Sequence, residues 1–175
     1  MANALAAGAA KRLLEWAPKL AAKPLAVVPF SLKATMIRQV LEQVMQEQAQ
    51  DGELDFLQGR QVAIRVTDLA LEFAVSYDGD WLISPYDKSS AEVCFSASSP
   101  SLLLVASGKE DPDTLFFQRL LSIEGDTELG LEVKNLLLGI ELETMPAPLR
   151  YSVQTLATRL QQLQQMAQPQ PVVPH

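Results

Sequence analysis

The stretch Asp111-Pro-Asp-Thr-Leu-Phe-Phe-Gln-Arg-Leu-Leu-Ser-Ile-Glu-Gly-Asp-Thr-Glu-Leu-Gly-Leu-Glu-Val-Lys-Asn-Leu-Leu-Leu-Gly-Ile-Glu-Leu-Glu-Thr-Met-Pro146 decides the fold. Asp111 before Pro112 has the form of an N-cap followed by proline at the first helical position, where the missing N–H costs nothing. Leu120 to Glu124 alternates weakly and is short enough for a strand. Gly125-Asp126 interrupts it, and Asp126 or Thr127 can cap the helix that follows. On that helix, expected over 127–142, Leu129, Val133, Leu136 and Ile140 fall on one stripe. Leu131, Leu138 and Leu142 form a second stripe on the opposite side. A helix with two apolar faces is sandwiched between layers, lies in a subunit interface, or packs on a sheet while lining an apolar cavity.

The chain has 175 residues, enough for one domain with flanking segments, and 48% of them are hydrophobic, a globular proportion. No window approaches the ~20 apolar residues of a membrane span. Cys94 is the only cysteine, so there is no disulfide within the chain and no cysteine-based metal cluster; it is expected to be a small core residue. The only histidine is His175, which removes internal Ser-His-Asp and Cys-His pairs, His₂ metal sites and a His general base. The 21 carboxylates show no spacing that singles out a catalytic pair, so the expectation is a protein that is not an enzyme and needs no cofactor or metal.

Net charge is −7, which disfavours nonspecific nucleic-acid binding, but the charge is unevenly spread. Residues 1–40 carry Lys11, Arg12, Lys19, Lys23, Lys33 and Arg38 against Glu15 alone, a net of +5, whereas residues 41–175 carry a net of −12. The two ends are therefore expected to meet different partners. Residues 1–28 read as a basic amphipathic arm: an alanine-rich helix with Leu13, Leu14 and Trp16, then Pro18, Pro24 and Pro29. Lys11-Arg12 falls where a secretory signal would need apolar residues. The arm could lie on a bilayer, with Trp16 at headgroup level and Lys11, Arg12, Lys19 and Lys23 over anionic lipid. It could equally pack on its own domain or on a second subunit.

Ser31 can cap a helix to Gln50, in which Met36, Ile37, Val40, Leu41, Val44 and Met45 repeat at helical spacing. A β meander follows: Val62 to Val66, Leu71 to Tyr77, the turn Asp78-Gly79-Asp80, Trp81 to Ser84, then Glu92 to Ser96. Leu102 to Val105 form an apolar helical run ended by Gly108. Four antiparallel strands, then helices around one more, predict an α+β fold with helices on one face of the sheet. In residues 147–168, Leu149, Val153, Leu156, Leu160 and Leu163 make a short heptad seam opposite a Gln-rich face. That helix can dock on the domain, self-associate or take a partner helix, and a homodimer through the terminal helices stays open. Residues 169–175 read as a disordered proline-rich tail.

Two motifs carry a resemblance. Asp51-Gly-Glu-Leu-Asp-Phe-Leu-Gln-Gly-Arg60, and Asp111-Pro-Asp-Thr-Leu-Phe-Phe-Gln-Arg119 with Ile123-Glu-Gly-Asp-Thr-Glu-Leu-Gly-Leu-Glu-Val-Lys-Asn135, resemble the UbiT family. These are bacterial ubiquinone-biosynthesis accessory factors of the sterol carrier protein type two (SCP2) fold. Pro29-Phe30 and Glu141-Leu-Glu-Thr-Met-Pro146 fit the same pattern, so the resemblance spans about residues 25–150. It implies an SCP2-like domain over residues 29–146: a sheet of about five mostly antiparallel strands, helices covering a hydrophobic cavity, and helical extensions at both ends. It also implies a non-catalytic, lipid-binding role in the oxygen-independent route to ubiquinone, with the UbiU and UbiV hydroxylation factors as partners and a cytoplasmic location at the inner membrane. Isoprenoid quinone precursors are the implied guests, with phospholipid such as phosphatidic acid, or service to the aerobic hydroxylases, as alternatives. On this reading Leu131, Leu138 and Leu142 line the cavity, Phe116 and Phe117 stand near its mouth, and Leu103 or Val105 lies opposite.

Overall fold

Alternation along the strands decides which side of the sheet meets the helices. The computed structural model describes residues 27–139 and 147–167. The strands are β1 Val62–Val66, β2 Leu71–Tyr77, β3 Trp81–Pro85, β4 Val93–Ala97 and β5 Leu121–Gly125, in the spatial order β3-β2-β1-β4-β5. Val62 is level with Val75 and Val93, and Ile64 with Phe73 and Phe95, so these side chains share one face. The opposite face carries Arg65, Glu72, Ser96, Ser122 and Glu124 at the intervening positions. Sequence alternation of period two thus yields one apolar and one polar side.

The helices are α1 Phe30–Val44, α2 Gln46–Gln50, α3 Ser99–Ala106, α4 Pro112–Phe117, α5 Thr127–Leu138 and α6 Ala147–Ala167. α1 rests on β3, α4 on β5, α5 on β4 and β5, and α6 on α3. Between the helices and the apolar face lies one core, in which Leu54 and Leu129 are wholly buried. Asp68 fixes the start of α3 to the β1–β2 connection, accepting from the Ser99 N–H at 2.7 Å and the Ser99 hydroxyl at 2.6 Å.

The α+β architecture agrees with expectation, but the meander ends at β3. β4 crosses to the other side of β1 and pairs with it in parallel. The connection passes over the polar face, where Tyr86 lies 5.2 Å from the Arg65 guanidinium, and Ala63 and Ala74 on that face are wholly buried. Pairing with β1 places Val93 and Phe95 in the middle of the core, which a position outside β3 would not. Cys94, expected in the core, is instead half-buried on the polar face, 3.6 Å from the Ser96 hydroxyl. Alternation assigns it there once Val93 and Phe95 point inward.

Helix boundaries moved for identifiable reasons. α1 begins after Pro29 with no side-chain cap, and Ser31 lies inside it, where its carbonyl accepts from the Thr35 hydroxyl. It breaks at Met45, whose side chain turns into the core. Among the described side chains of α6 Ala157 is fully buried, Leu160 and Leu163 are half-buried and Leu156 is exposed, whereas the side chains of Leu149 and Val153 lie outside the described ones. Lys109 donates to the Thr158 hydroxyl at 2.9 Å and to the Gln161 side-chain oxygen at 3.1 Å, which ties α6 to the end of α3. Lys11, Arg12, Trp16, Lys19, Lys23, Leu142, the Glu141–Pro146 motif and His175 lie outside the described residues.

Candidate functional site

The segment Asp111 to Leu138 builds a cleft from three successive elements. Asp111 caps α4, accepting from the N–H groups of Asp113 at 2.7 Å and Thr114 at 3.4 Å. Arg119, at φ +60°, ends α4, and the Leu120 N–H reaches back to the Leu115 carbonyl at 2.8 Å. The chain then enters β5. Gly125 closes the strand at φ +116°, pressed so near β4 that a Cβ would stand 2.2 Å from the Glu92 carbonyl oxygen. Asp126 donates its N–H to that carbonyl at 2.9 Å and caps α5 by accepting from the Leu129 N–H at 2.7 Å.

Arg60 holds this corner together. Its Nε donates to Glu92 at 3.0 Å, and its other nitrogens lie 3.4 Å from Asp126 and 3.7 Å from Glu132. The hydrogen bond to Glu92, and the nearby carboxylates, raise the Arg60 pKa further above its usual range. Gly130 lets α5 lie close on the sheet, since a Cβ there would stand 3.0 Å from Ile123 Cγ2.

This seating separates the two apolar stripes of α5. Leu129, Val133 and Leu136 enter the core, whereas Leu131 and Leu138 remain 51% and 47% exposed. Leu131 forms one wall of an open cleft of about 220 Å³, with Phe116, Ile123 and Gly130. Asp113, Gly125, Asp126, Thr127 and Lys134 complete the lining. The Lys134 ammonium donates to the Asp113 carboxylate at 2.8 Å and so bridges α5 and α4 across it. Phe117, 82% exposed, meets Phe116 edge to face with centroids 5.9 Å apart.

Of the residues singled out in the sequence, Phe116 and Leu131 share this cleft, Phe117 adjoins it through the ring contact, and Leu138 continues the Leu131 face two turns on. Leu103 and Val105 do not line it; both are half-buried on α3, with Val105 against the core. Sequence reading missed Ile123, Gly130 and the Lys134–Asp113 bridge. Those residues stand in the motif already quoted, but a pairing across 21 residues leaves no trace in local spacing.

The cleft exceeds the ~150 Å³ that accommodates benzene in an apolar cavity and falls below the ~300 Å³ typical of enclosed ligand pockets. Its volume suits an aromatic ring or a short aliphatic piece, with the remainder of a long ligand outside it. Among the described residues no cluster of His, Cys, Asp or Glu could hold a metal ion, and no helix is long and apolar enough to cross a membrane.

Comparison with known proteins agrees with the fold. Residues 37–138, the span from α1 to the end of α5, match the SCP-2 sterol transfer family, and the chain belongs to that family. Within it, the chain is a UbiT homologue. It is 46% identical over 147 residues, 83% of each chain, to the ubiquinone biosynthesis accessory factor UbiT of Escherichia coli strain K12. The identity to UbiT of E. coli O157:H7 is the same. Among solved structures, the UbiJ-SCP2 ubiquinone synthesis protein superposes with a TM-score of 0.50 at 16% identity, covering 62% of this chain and 96% of that one, a likeness of fold.

Proposed function

We propose that this chain is a non-catalytic accessory factor of ubiquinone biosynthesis that holds polyprenylated aromatic intermediates. The observation that carries the reading is the cleft between α4, β5 and α5, flanked by exposed apolar side chains, in a UbiT homologue. The aromatic head occupies the cleft beside Phe116 and Leu131. The prenyl chain runs along the outer stripe past Leu138, with Phe117 over the entrance. Each CH₂ removed from water contributes about 0.8 kcal/mol, so a long chain binds by area and needs little polar recognition. The polar lining, Thr127 and the Lys134–Asp113 pair, meets the head and not the tail.

The finer role follows from the same reading. The factor serves the oxygen-independent route and presents its cargo to UbiU and UbiV. Lys11, Arg12, Trp16, Lys19 and Lys23 hold it peripherally to the inner membrane. Mass spectrometry of lipid extracted from gently purified protein tests the cargo. Prenylated phenols or quinones are expected, depleted in a Leu131→Gln/Leu138→Gln variant; phospholipid as the sole lipid overturns the reading. A deletion strain is expected to lose ubiquinone without oxygen and keep it with oxygen. Loss under both conditions would refute the oxygen-independent assignment.

A further inference from the structure

A second apolar surface lies at the other edge of the sheet. Phe30, Ile37, Leu41 and Val44 turn one side of α1 toward the core. Leu32, Met36 and Val40, four residues apart, form an adjoining stripe that faces outward, and Val27 stands exposed before the helix. This stripe belongs to the helix on β3, whereas Phe116, Phe117 and Leu131 flank β5. Those are the two edges of a five-stranded sheet, about 19 Å apart at a strand spacing of ~4.8 Å.

Charge distinguishes the two surfaces. The chain leading into α1 is basic, with Lys11, Arg12, Lys19 and Lys23 against Glu15; on α1 itself Lys33 adds a further positive charge, while Arg38 pairs with Glu42 and Asp80. Lys33, half-buried beside the stripe, makes no ion pair with any described residue. At the β5 edge, residues 110–134 place seven carboxylates against Arg119 and Lys134. An anionic membrane surface attracts the first region and repels the second. The α1 stripe is also aliphatic and follows directly on the basic segment, the arrangement of an interfacial helix.

We propose that α1 itself is a bilayer-contact face. Leu32, Met36 and Val40, led by Val27, enter the boundary between headgroups and acyl chains of a membrane containing anionic lipid, and Lys33 lies over the headgroups. The inference rests on the membrane association proposed above and extends it from the N-terminal arm onto the folded domain. Its consequence is an orientation: the cleft at β5 is turned away from the bilayer, toward soluble partners.

The test uses the full chain and sedimentation with vesicles of phosphatidylethanolamine and phosphatidylglycerol. A Leu32→Gln/Met36→Gln/Val40→Gln variant alters no charge and no core side chain. Its vesicle affinity is expected to fall about tenfold or more, as loss of three partly inserted side chains requires. An environment-sensitive dye at Met36→Cys, in a Cys94→Ser background, is expected to shift to the blue on adding vesicles, while the same dye at Thr35→Cys does not. Unchanged affinity of the triple variant, or a dye at Met36→Cys already shielded without vesicles, overturns the proposal, the latter because another segment or a second copy then covers the stripe. Lipid extracted from the triple variant reports on the cleft separately, so loss of vesicle binding with cargo retained is distinguishable from failure of the cargo reading.

Discussion

Alanine at Gly125 is expected to destabilise the protein by about 3–5 kcal/mol, and the size follows from two separable costs. The first is conformational: φ +116° lies outside the region that residues with a Cβ populate, a cost of about 1–3 kcal/mol. The second is steric. The new Cβ would stand 2.2 Å from the Glu92 carbonyl oxygen and 3.0 Å from Val93 Cα, both backbone atoms that cannot rotate away. Relief requires β5 to separate from β4, which loosens the bond from the Asp126 N–H to Glu92, worth about 1 kcal/mol, and disturbs the corner that Arg60 clamps. Against a total stability of about 5–15 kcal/mol this is a large fraction. Gly79→Ala supplies a reference for positive φ without crowding, because Gly79 has φ +77°, nearer the left-handed region, with nothing within 4 Å of its notional Cβ. Urea unfolding followed by circular dichroism measures both variants. A loss below about 1 kcal/mol for Gly125→Ala, or equal losses for the two glycines, would refute the argument from close approach.

Two further outcomes are expected. Leu129→Ala should lose about 2–5 kcal/mol, whereas Leu131→Gln on the outward stripe should stay within about 0.5 kcal/mol; reversed values in urea unfolding would reverse the assignment of the stripes. Asp87 accepts from the Ser89 N–H at 3.0 Å and its hydroxyl at 2.7 Å, and these bonds hold its pKa below the usual carboxylate value. Its contribution is therefore complete above about pH 4 and lost as pH falls through the lowered value, so the stability gap between wild type and Asp87→Asn should close on acidification. A gap that is constant with pH would contradict the bonding.

Much of this was readable because local chemistry and tertiary position agree. Asp111-Pro112 and Gly125-Asp126 announce the starts of α4 and α5, and both aspartates cap them in the structure. The alternation of Leu71, Phe73, Val75 and Tyr77 fixes both β2 and the face it presents. What stayed hidden depends on contacts distant in the chain. Nothing in Val93–Ala97 states that its partner is β1 and not β3. In residues 147–168 the spacing of large residues does not point to Ala157, which is fully buried among the described side chains of α6. The second stripe of α5 was visible, but whether Leu131 faced an enclosed cavity or an open cleft depended on where α4 and its phenylalanines lay.

The parallel pairing of β1 with β4 also orders events during folding. β1, β2 and β3 join through connections of four and three residues, 67–70 and 78–80, so their contacts form with little loop-closure entropy. β4 reaches β1 only once the chain has returned from residue 66 to residue 93, and β5 pairs with β4 across residues 98–120, so both pairings close longer loops. The half of the sheet that bears the cleft is thus the later half to assemble. A nascent chain contains its meander first, and the cleft beside β5 is complete only once synthesis has passed α5.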